Sequence, residues 1–257
     1  MNNALIQNKD WSIVVQARTG ASRLPGKMIQ SFFKDQTLVE VVLNNLVHNI
    51  PKEKIILAAP SNPKDDQLCK IVSGLGISVF RGSEDNVLKR FIDASEAFNI
   101  KYLVRVCADN PFINPEFISN LIDKGVEKKA DYISWFFSDD LPVIRSHSGI
   151  FAEWVSLDAL KKIAALSNDK MALEHVTYFI YQNQDLFSII KLPVENENLY
   201  RKIRLTIDTE DDFILAKKIF HELSECWGYS QDNLIHFLEK NPVLVDQMEK
   251  NIKINAK

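Results

Sequence analysis

Short apolar runs alternate with amphipathic segments along the first half of the chain. Apolar runs bounded by turn residues predict buried strands, at Ser12–Gln16, Lys54–Ala59, Ile77–Phe80 and Lys101–Val106. Apolar residues at helical spacing predict helices over Thr37–His48 and Pro63–Ser73, and a third helix capped by Ser83. Strands that alternate with helices predict an α/β fold with a mixed, mostly parallel sheet covered by helices on both faces.

The second half of the chain continues with the same kinds of element. Further helices are predicted over Asn114–Val126, Ser156–Leu166 and Met171–Gln182, from Thr209 onward and around Leu234–Leu238. Further strands are predicted over Asp131–Phe137, Phe187–Leu192 and Ile203–Ile207. We expect one domain over residues 1–257, in which residues 1–11 form a frayed leader and residues 241–257 a peripheral tail.

Composition excludes several classes of protein. The 257 residues are 46% hydrophobic and 25% charged, with a net charge of −3, so no general attraction for nucleic acid or membranes is expected. No apolar run approaches transmembrane length and Met1–Asp10 is polar, which predicts a cytoplasmic protein without a signal peptide. Cys69, Cys107 and Cys226 are scattered, as expected of reduced thiols rather than disulfides or zinc ligands.

A small basic loop follows the first predicted strand. It carries three cations, Arg18, Arg23 and Lys27, together with Gly20 and Ser22. Glycine lets backbone N–H groups approach a ligand closely and the cations neutralise it, so the loop suits a polyphosphate. An ordinary basic surface loop is the alternative.

Two familiar phosphate-binding motifs do not fit this loop. A Walker A loop has four residues before its Gly-Lys pair and a hydroxyl residue after it. Here five residues separate Gly20 from Gly26, and Met28 follows Lys27. No G-x-G-x-x-G follows a predicted strand, and Gly74-Leu-Gly76 instead indicates a helix C-cap and turn.

Two aspartates are expected where predicted strands end. Pro111 disfavours helical backbone at Asn110, so Asp109 should point off the carboxyl edge of the sheet, across from the basic loop. Asp208 follows Ile203–Ile207, and Thr209 is already available as the helix cap. Two carboxylates that face a basic loop suit Mg²⁺ together with phosphates. A turn or helix-capping role for each aspartate is the alternative.

Five segments, in order, carry a family resemblance. Q-A-R-T-G-A-S-R-L-P-G-K resembles the opening motif of the spore-coat polysaccharide cytidylyltransferase-like proteins, relatives of the KDO and acylneuraminate cytidylyltransferases. The later segments are F-R-G-S-E-D-N-V-L at Phe80–Leu88, R-V-C-A-D-N-P-F-I at Arg105–Ile113, L-E-H-V-T at Leu173–Thr177 and R-L-T-I-D-T-E-D-D at Arg204–Asp212. The resemblance covers roughly Ser12 to Phe220.

The resemblance implies a Rossmann-like nucleotide-diphospho-sugar transferase fold and a Mg²⁺-dependent cytidylyltransferase. Such an enzyme transfers CMP from CTP to a sugar acid or related acceptor and releases pyrophosphate, in surface polysaccharide or glycoconjugate synthesis. Relatives are commonly dimers, so a homodimer is possible. The catalytic residues implied are Arg18, Arg23, Lys27 and Asp109, with Asp109 and Asp208 as Mg²⁺ ligands.

The resemblance also implies binding residues. Nucleotide contacts would come from Ala17, Arg18, Gly20, Ser22, Arg23, Lys27, Arg81, Ser83 and Arg105, and acceptor contacts from Gly149, Glu153, Glu174 and His175. Some of these have plainer explanations: a capped turn for Arg81 and Ser83, a buried ion pair for Arg105, and a structural histidine for His175.

The chain departs from the family pattern at two positions. Ala108 replaces the glycine before the aspartate, and Phe151 stands where relatives usually have an aspartate. The second change leaves the acceptor open. Two other functions remain as alternatives: a glycosyltransferase that consumes a nucleotide-sugar, and a non-catalytic nucleotide- or sugar-binding homologue.

Overall fold

A seven-stranded sheet organises the protein, for which a computed structural model describes residues 8–226 and 230–255. The strands, including a separate two-stranded ribbon of β2 and β3, are β1 (Trp11–Gln16), β2 (Ser31–Phe33), β3 (Gln36–Thr37), β4 (Ile55–Pro60), β5 (Ser78–Gly82), β6 (Tyr102–Cys107), β7 (Tyr132–Phe136), β8 (Glu153–Ser156) and β9 (Ile189–Pro193). The strand order in the sheet is β5-β4-β1-β6-β8-β7-β9.

The sheet is mixed but mostly parallel, which confirms the predicted fold class. β8 runs antiparallel to both its neighbours, and the other neighbouring strands are parallel. Successive residues of β1 point into two separate apolar cores, since Ile13 and Val15 belong to one core and Val14 to the other. Because β1 and β6 pair in parallel, the segments that follow them emerge side by side at one edge.

Helices supply the apolar cover on both faces. They are α1 (Leu38–Val47), α2 (Asp66–Gly74), α3 (Val87–Ala97), α4 (Pro115–Lys128), α5 (Leu157–Leu166), α6 (Lys170–Glu174), α7 (Tyr178–Gln182), α8 (Glu197–Tyr200), α9 (Glu210–Cys226), α10 (Gln231–Lys240) and α11 (Pro242–Asn255). The predicted turn at Gly76, whose φ is +75°, is confirmed, and Thr37 and Glu40 form a capping box at the start of α1. No helix in these ranges is long and apolar enough to cross a bilayer.

Three predicted features are corrected by the structure, and one strand is missing from the prediction. Ile203–Ile207 is not a strand, because its N–H groups bond to carbonyls of single residues such as His147 and pair with no described strand. The helix predicted over Met171–Gln182 is interrupted around His175 and becomes α6 and α7. Asn86, not Ser83, caps α3, since the Asn86 side chain accepts a bond from the Lys89 N–H. The antiparallel strand β8 was not predicted.

Both ends of the chain are less peripheral than expected. Trp11 is fully buried and begins β1, so the leader does not extend to it, while residues 1–7 lie outside the described part of the chain. The expected tail is largely helix α11, whose Val245 and Met248 join the larger apolar core. Amphipathic spacing in Pro242–Met248 explains this packing.

Candidate active site

The basic loop between β1 and the short turn Lys27–Ile29 is fixed by one buried carboxylate. The Thr19 N–H and hydroxyl both donate to Asp65 Oδ1, at 2.6 and 2.9 Å, and Asp65 is only 2% exposed. The Thr19 carbonyl accepts from the Gly26 N–H at 2.8 Å, and Gly26 adopts a φ of +74° that glycine tolerates best. Sequence analysis missed Thr19 and Asp65, since nothing local links residues so far apart.

Two loop cations meet the two predicted metal-binding aspartates. Lys27 Nζ lies 3.1 Å from Asp109 Oδ2 and also donates to the Ile207 carbonyl, and Arg23 Nη2 lies 3.0 Å from Asp208 Oδ2. The side chains of Asp109 and Asp208 are each 26% exposed. The structure therefore brings Arg23, Lys27, Asp109 and Asp208 together, as expected; their roles in the reaction stay predictions.

Backbone and buried side chains hold Asp208 beside Asp109. The Ile207 N–H donates to the Asp109 carbonyl at 2.9 Å, which joins the two segments directly. Arg204 binds both oxygens of Asp212, at 2.7 and 2.8 Å, and its Nη2 lies 3.3 Å from Asp208. Burial by itself raises the pKa of the Asp212 carboxyl, but the bonds from Arg204 lower it overall.

A cavity of about 520 Å³ opens beside these four residues. Arg23, Asp109 and Asp208 line one part of it, and the turn Val143–Arg145 and helix α7 line another. His147 lies on the wall, where its Nδ1 is 2.8 Å from Arg204 Nη1. Burial and the charge of Arg204 lower the pKa of His147. A cavity of this size can hold a small ligand.

Gly149 lines the cavity where only glycine fits. Its φ is +66°, and a Cβ there would lie 2.7 Å from the Thr206 nitrogen and 2.9 Å from the Leu205 carbonyl carbon. The side-chain oxygen of Asn110 would lie 3.2 Å away; it is buried without a hydrogen-bond partner among the described residues. Gly149 thus lets the wall approach the segment that leads to Asp208.

Glu153 is the one predicted acceptor contact that the structure contradicts. Its side chain is 0% exposed and is not part of the cavity wall. It sits on β8 directly opposite Arg105 on β6, and accepts a 2.6 Å bond from Arg105 Nη1 and bonds from the Tyr132 and Thr177 hydroxyls. A carboxylate enclosed in this way stabilises the sheet and cannot reach an acceptor.

Arg105 fits the alternative interpretation, a buried ion pair, although its side chain borders the cavity. Burial by itself lowers the pKa of the Arg105 guanidinium, but the neighbouring Cys107 and Glu153 raise it overall. Arg105 therefore stays charged, and its contact with a nucleotide stays a prediction.

The remaining predicted residues of the loop and of the helix region around His175 differ in their exposure and contacts. Arg18 and Glu174 form a loose pair at 3.8 Å in which both side chains are 42% exposed. Gly20 and Ser22 are exposed on the loop, and Ala17 is buried at its base. His175 lines the cavity, whereas Glu174 does not.

Arg81 and Ser83 are held away from this cavity. Arg81 Nη1 lies 2.5 Å from Asp66 Oδ1, and its other nitrogens donate to the carbonyls of Pro60 and Asn62. The Ser83 hydroxyl accepts from the Asn86 N–H at 3.1 Å. Neither residue lines the cavity, which agrees with the capped-turn alternative and leaves their predicted CTP contacts without support from this geometry.

The two departures from the family pattern are accommodated. The Ala108 N–H donates to the Gln16 carbonyl at 3.0 Å and its methyl is buried, so a glycine is not required there. Phe151 is buried, stacks on Phe117 with ring centroids 4.8 Å apart, and packs edge-on against Tyr200. Phe151 thus gives this part of the cavity wall an aromatic surface.

The donor set at the cavity fits a hard cation. Asp109 and Asp208 offer carboxylate oxygens, which suit Mg²⁺, an ion that keeps most of its positions for water and phosphate. Among the residues that the structure describes, no group of three or more His, Cys, Asp or Glu side chains could hold a metal ion. Cys69 and Cys107 are free thiols, and the side chain of Cys226 lies outside the described residues.

Comparisons with known proteins find relatives that match over nearly the whole chain. The chain is 32% identical to the uncharacterized protein MJ1063 of Methanocaldococcus jannaschii, over 95% of this chain and 94% of that protein. It is 29% identical to the spore coat polysaccharide biosynthesis protein SpsF of Bacillus subtilis, over 93% and 98% of the two chains.

Solved structures show the same fold. A cytidylyltransferase from Leptospira borgpetersenii superposes with a TM-score of 0.81 at 27% identity, over 92% of this chain and 97% of that one. A CMP:2-keto-3-deoxy-manno-octonic acid synthetase complexed with CTP superposes with a TM-score of 0.61 at 12% identity, over 82% and 98%, which is evidence for the fold alone. The family model described as cytidylyltransferase matches residues 12–250, and the chain therefore belongs to the cytidylyltransferase family of nucleotidyltransferases.

Proposed function

We propose that this protein transfers CMP from CTP to a sugar acid or related acceptor, releases pyrophosphate and requires Mg²⁺. The observation that carries the proposal is the pair of contacts at one cavity, Lys27 with Asp109 and Arg23 with Asp208. These contacts connect a polyphosphate-type loop to the only two carboxylates in the described cavity wall. Membership of the cytidylyltransferase family supports cytidine as the nucleoside.

The loop cations and the aspartates would have different roles in the reaction. An acceptor oxygen attacks the α-phosphorus of CTP and pyrophosphate leaves, so negative charge grows on the phosphate oxygens. Arg18, Arg23 and Lys27 hold the triphosphate and stabilise this charge. Asp109 and Asp208 would hold Mg²⁺, which supplies charge neutralisation at the α-phosphate.

The ion pairs suggest how this site accepts its substrate. Each loop cation already has a carboxylate partner, so CTP with its metal exchanges partners instead of meeting unpaired charges. Arg23 and Lys27 would then contact the phosphates, and Asp109 and Asp208 would be free to hold the metal. Charges that are fixed before the ligand arrives need little reorganisation, which favours positioning.

The proposed acceptor and pathway are supported by the names of similar proteins. SpsF is named for spore coat polysaccharide biosynthesis, and a 23% identical relative from Rickettsia felis is named 3-deoxy-manno-octulosonate cytidylyltransferase. These names support an acidic sugar as acceptor and a role in surface polysaccharide synthesis.

A pyrophosphate assay tests the proposal. The protein is incubated with Mg²⁺, each nucleoside triphosphate in turn and a panel of sugar acids, and pyrophosphate is measured. We expect release with CTP that needs both acceptor and metal, and loss of release in Asp109→Asn. Consumption of a nucleotide-sugar instead would indicate a glycosyltransferase. CTP binding without turnover over the whole panel would indicate a binding homologue.

A further inference from the structure

The segment that joins α6 to α7 belongs to a motif to which the proposed reaction assigns no step. The motif L-E-H-V-T spans Leu173–Thr177, and the predicted helix is interrupted within it, at residues 175–177. The helices on either side, Lys170–Glu174 and Tyr178–Gln182, have five residues each. Helices this short have little stability of their own, so their orientation depends on contacts with the rest of the protein.

Four side chains of the cavity wall come from this region. They are Met171 of α6, His175 of the interruption, and Tyr178 and Tyr181 of α7. Three of the four are apolar or aromatic, which suits a sugar ring better than a triphosphate. The proposed reaction assigns the basic loop and the two aspartates to CTP and its metal, so this surface remains for the acceptor.

Thr177 ties the interruption to the sheet. It occupies the N-cap position of α7 and is fully buried, but its side chain does not cap the helix. Its hydroxyl instead donates to Glu153 on β8, 2.9 Å from Oε1 and 3.1 Å from Oε2. A threonine at an N-cap usually bonds to the first N–H groups of its own helix. Here the bond to the sheet replaces that local bond.

Glu153 is itself held by side chains of two other strands. Arg105 of β6 donates to it at 2.6 Å, and the Tyr132 hydroxyl of β7 donates to the same carboxylate. Val176 and Ile180 bury this segment in the smaller apolar core, but apolar contacts have no preferred direction. The hydrogen bond from Thr177 is directional, so it sets the orientation of α7 relative to the sheet.

We propose that Thr177 is a positioning residue whose bond to Glu153 orients the α6–α7 part of the cavity wall and thereby sets the affinity for the acceptor. Neither Thr177 nor Glu153 lines the cavity, so both act without touching substrate. This inference rests on the proposed function, because it concerns the second substrate of the same site.

Two hydroxyl deletions at one carboxylate test this assignment. Thr177→Val keeps the shape of the side chain and removes its bond to Glu153, whereas Tyr132→Phe removes another hydroxyl bond to the same carboxylate from β7. Tyr132 is fully buried and does not line the cavity, so Tyr132→Phe is the matched control. Thr177→Ser restores the hydroxyl. Thr177→Cys, whose thiol is a weak donor, is the second deletion should Thr177→Val not fold.

Two properties of the full chain are measured for each variant. The first is kcat and the KM of each substrate in the pyrophosphate assay, with CTP, Mg²⁺ and the best sugar acid of the panel, starting with 3-deoxy-manno-octulosonate. The second is backbone amide hydrogen exchange in α6 and α7 without substrate, which needs no turnover.

The expected result is selective. Thr177→Val raises the KM of the sugar acid roughly 10-fold, because misplaced wall residues bind it less well, and kcat stays within about threefold. The KM of CTP stays within about twofold of wild type, and amide exchange in α6 and α7 becomes faster. Tyr132→Phe and Thr177→Ser resemble wild type in both properties, since α7 keeps its bond to Glu153.

Four outcomes would overturn the assignment: Thr177→Val keeps the wild-type KM for the sugar acid, Tyr132→Phe raises that KM as much, Thr177→Ser fails to restore it, or the KM of CTP rises equally. Failure of the proposed function appears separately, as absence of pyrophosphate release by wild type. Hydrogen exchange still tests the orienting role in that case, because equal exchange of α6 and α7 in Thr177→Val and Tyr132→Phe would overturn it.

Discussion

Two sets of cation–carboxylate pairs surround the cavity, and they differ in the exposure of the carboxylate. Asp109 and Asp208, which face Lys27 and Arg23, are each 26% exposed. Glu153 and Asp212, which hold Arg105 and Arg204, are 0% and 4% exposed. The same chemistry therefore serves two purposes: pairs at the opening can exchange partners with a ligand, and pairs behind it fix the wall.

The exposure of a carboxylate, and not the family resemblance, distinguishes the residues that reach the cavity from those that lie behind its wall. The family resemblance implies a site role for both Glu153 and Asp208, yet only Asp208 lines the cavity. A buried ion pair contributes little net stability but is costly to break, because the remaining charge is left uncompensated. An exposed pair is weak and easily replaced. Exposure of the carboxylate thus predicts which substitutions affect folding and which affect turnover.

Removal of a buried carboxylate gives the largest effect. Glu153→Gln leaves Arg105 charged in the sheet, so we expect the free energy of unfolding to fall by about 3–5 kcal/mol. Denaturant unfolding measures this. Glu249→Gln, which removes exposed ion pairs with Lys202 and Lys253, should leave the free energy of unfolding close to that of wild type. Equal effects of the two substitutions on stability would contradict the distinction between buried and exposed ion pairs.

Removal of Lys27, the buried cation that contacts Asp109, should act on turnover. Lys27→Met keeps the length of the side chain but loses its charge, and we expect a loss of roughly 2.7–4 kcal/mol of transition-state stabilisation, about 10²- to 10³-fold in kcat. Pyrophosphate release measures it, with Lys70→Met as control. A folded Lys27→Met enzyme with wild-type kcat would contradict the assignment.

The wall itself can be tested with a pair of glycines. Gly149→Ala places a methyl group 2.7 Å from the Thr206 nitrogen at a φ of +66°, so we expect about 1–3 kcal/mol of destabilisation. Gly20→Ala meets nothing within 4 Å, and its unfolding free energy should change by less than about 0.5 kcal/mol. Thermal unfolding compares the two variants. Equal melting temperatures would show that the cavity wall can shift to accommodate a methyl group at Gly149.

Most of the fold could be predicted from the sequence where local signals are strong. β1, β4 and β6 are mostly apolar and bounded by turn residues, and Thr37 with Glu40 has the spacing of a capping box. The segment Ile203–Ile207 has the apolar–polar alternation of a strand in its sequence, I-R-L-T-I. No described strand lies beside it to pair with. The presence of a partner strand depends on the whole fold, so the local pattern could not exclude a strand here.

The site could be predicted in part. The loop cations and Asp109 lie together because β1 and β6 are parallel neighbours, and Asp208 joins them because the Ile207 N–H donates to the Asp109 carbonyl. The family resemblance implies an acceptor contact for Glu153, but the pairing of β8 with β6 places Glu153 opposite Arg105, and no local signal in the sequence reveals that pairing.

The most direct test of the shared ion-bridged triphosphate site is a double-mutant cycle on Asp109 and Asp208. Pyrophosphate release from CTP is measured for wild type, Asp109→Asn, Asp208→Asn and the double variant. If both carboxylates serve one metal, each single substitution should lower kcat by roughly 10²-fold or more, and the double variant should be little worse than either. Losses that multiply in the double variant, or wild-type kcat in Asp109→Asn, would contradict a common site.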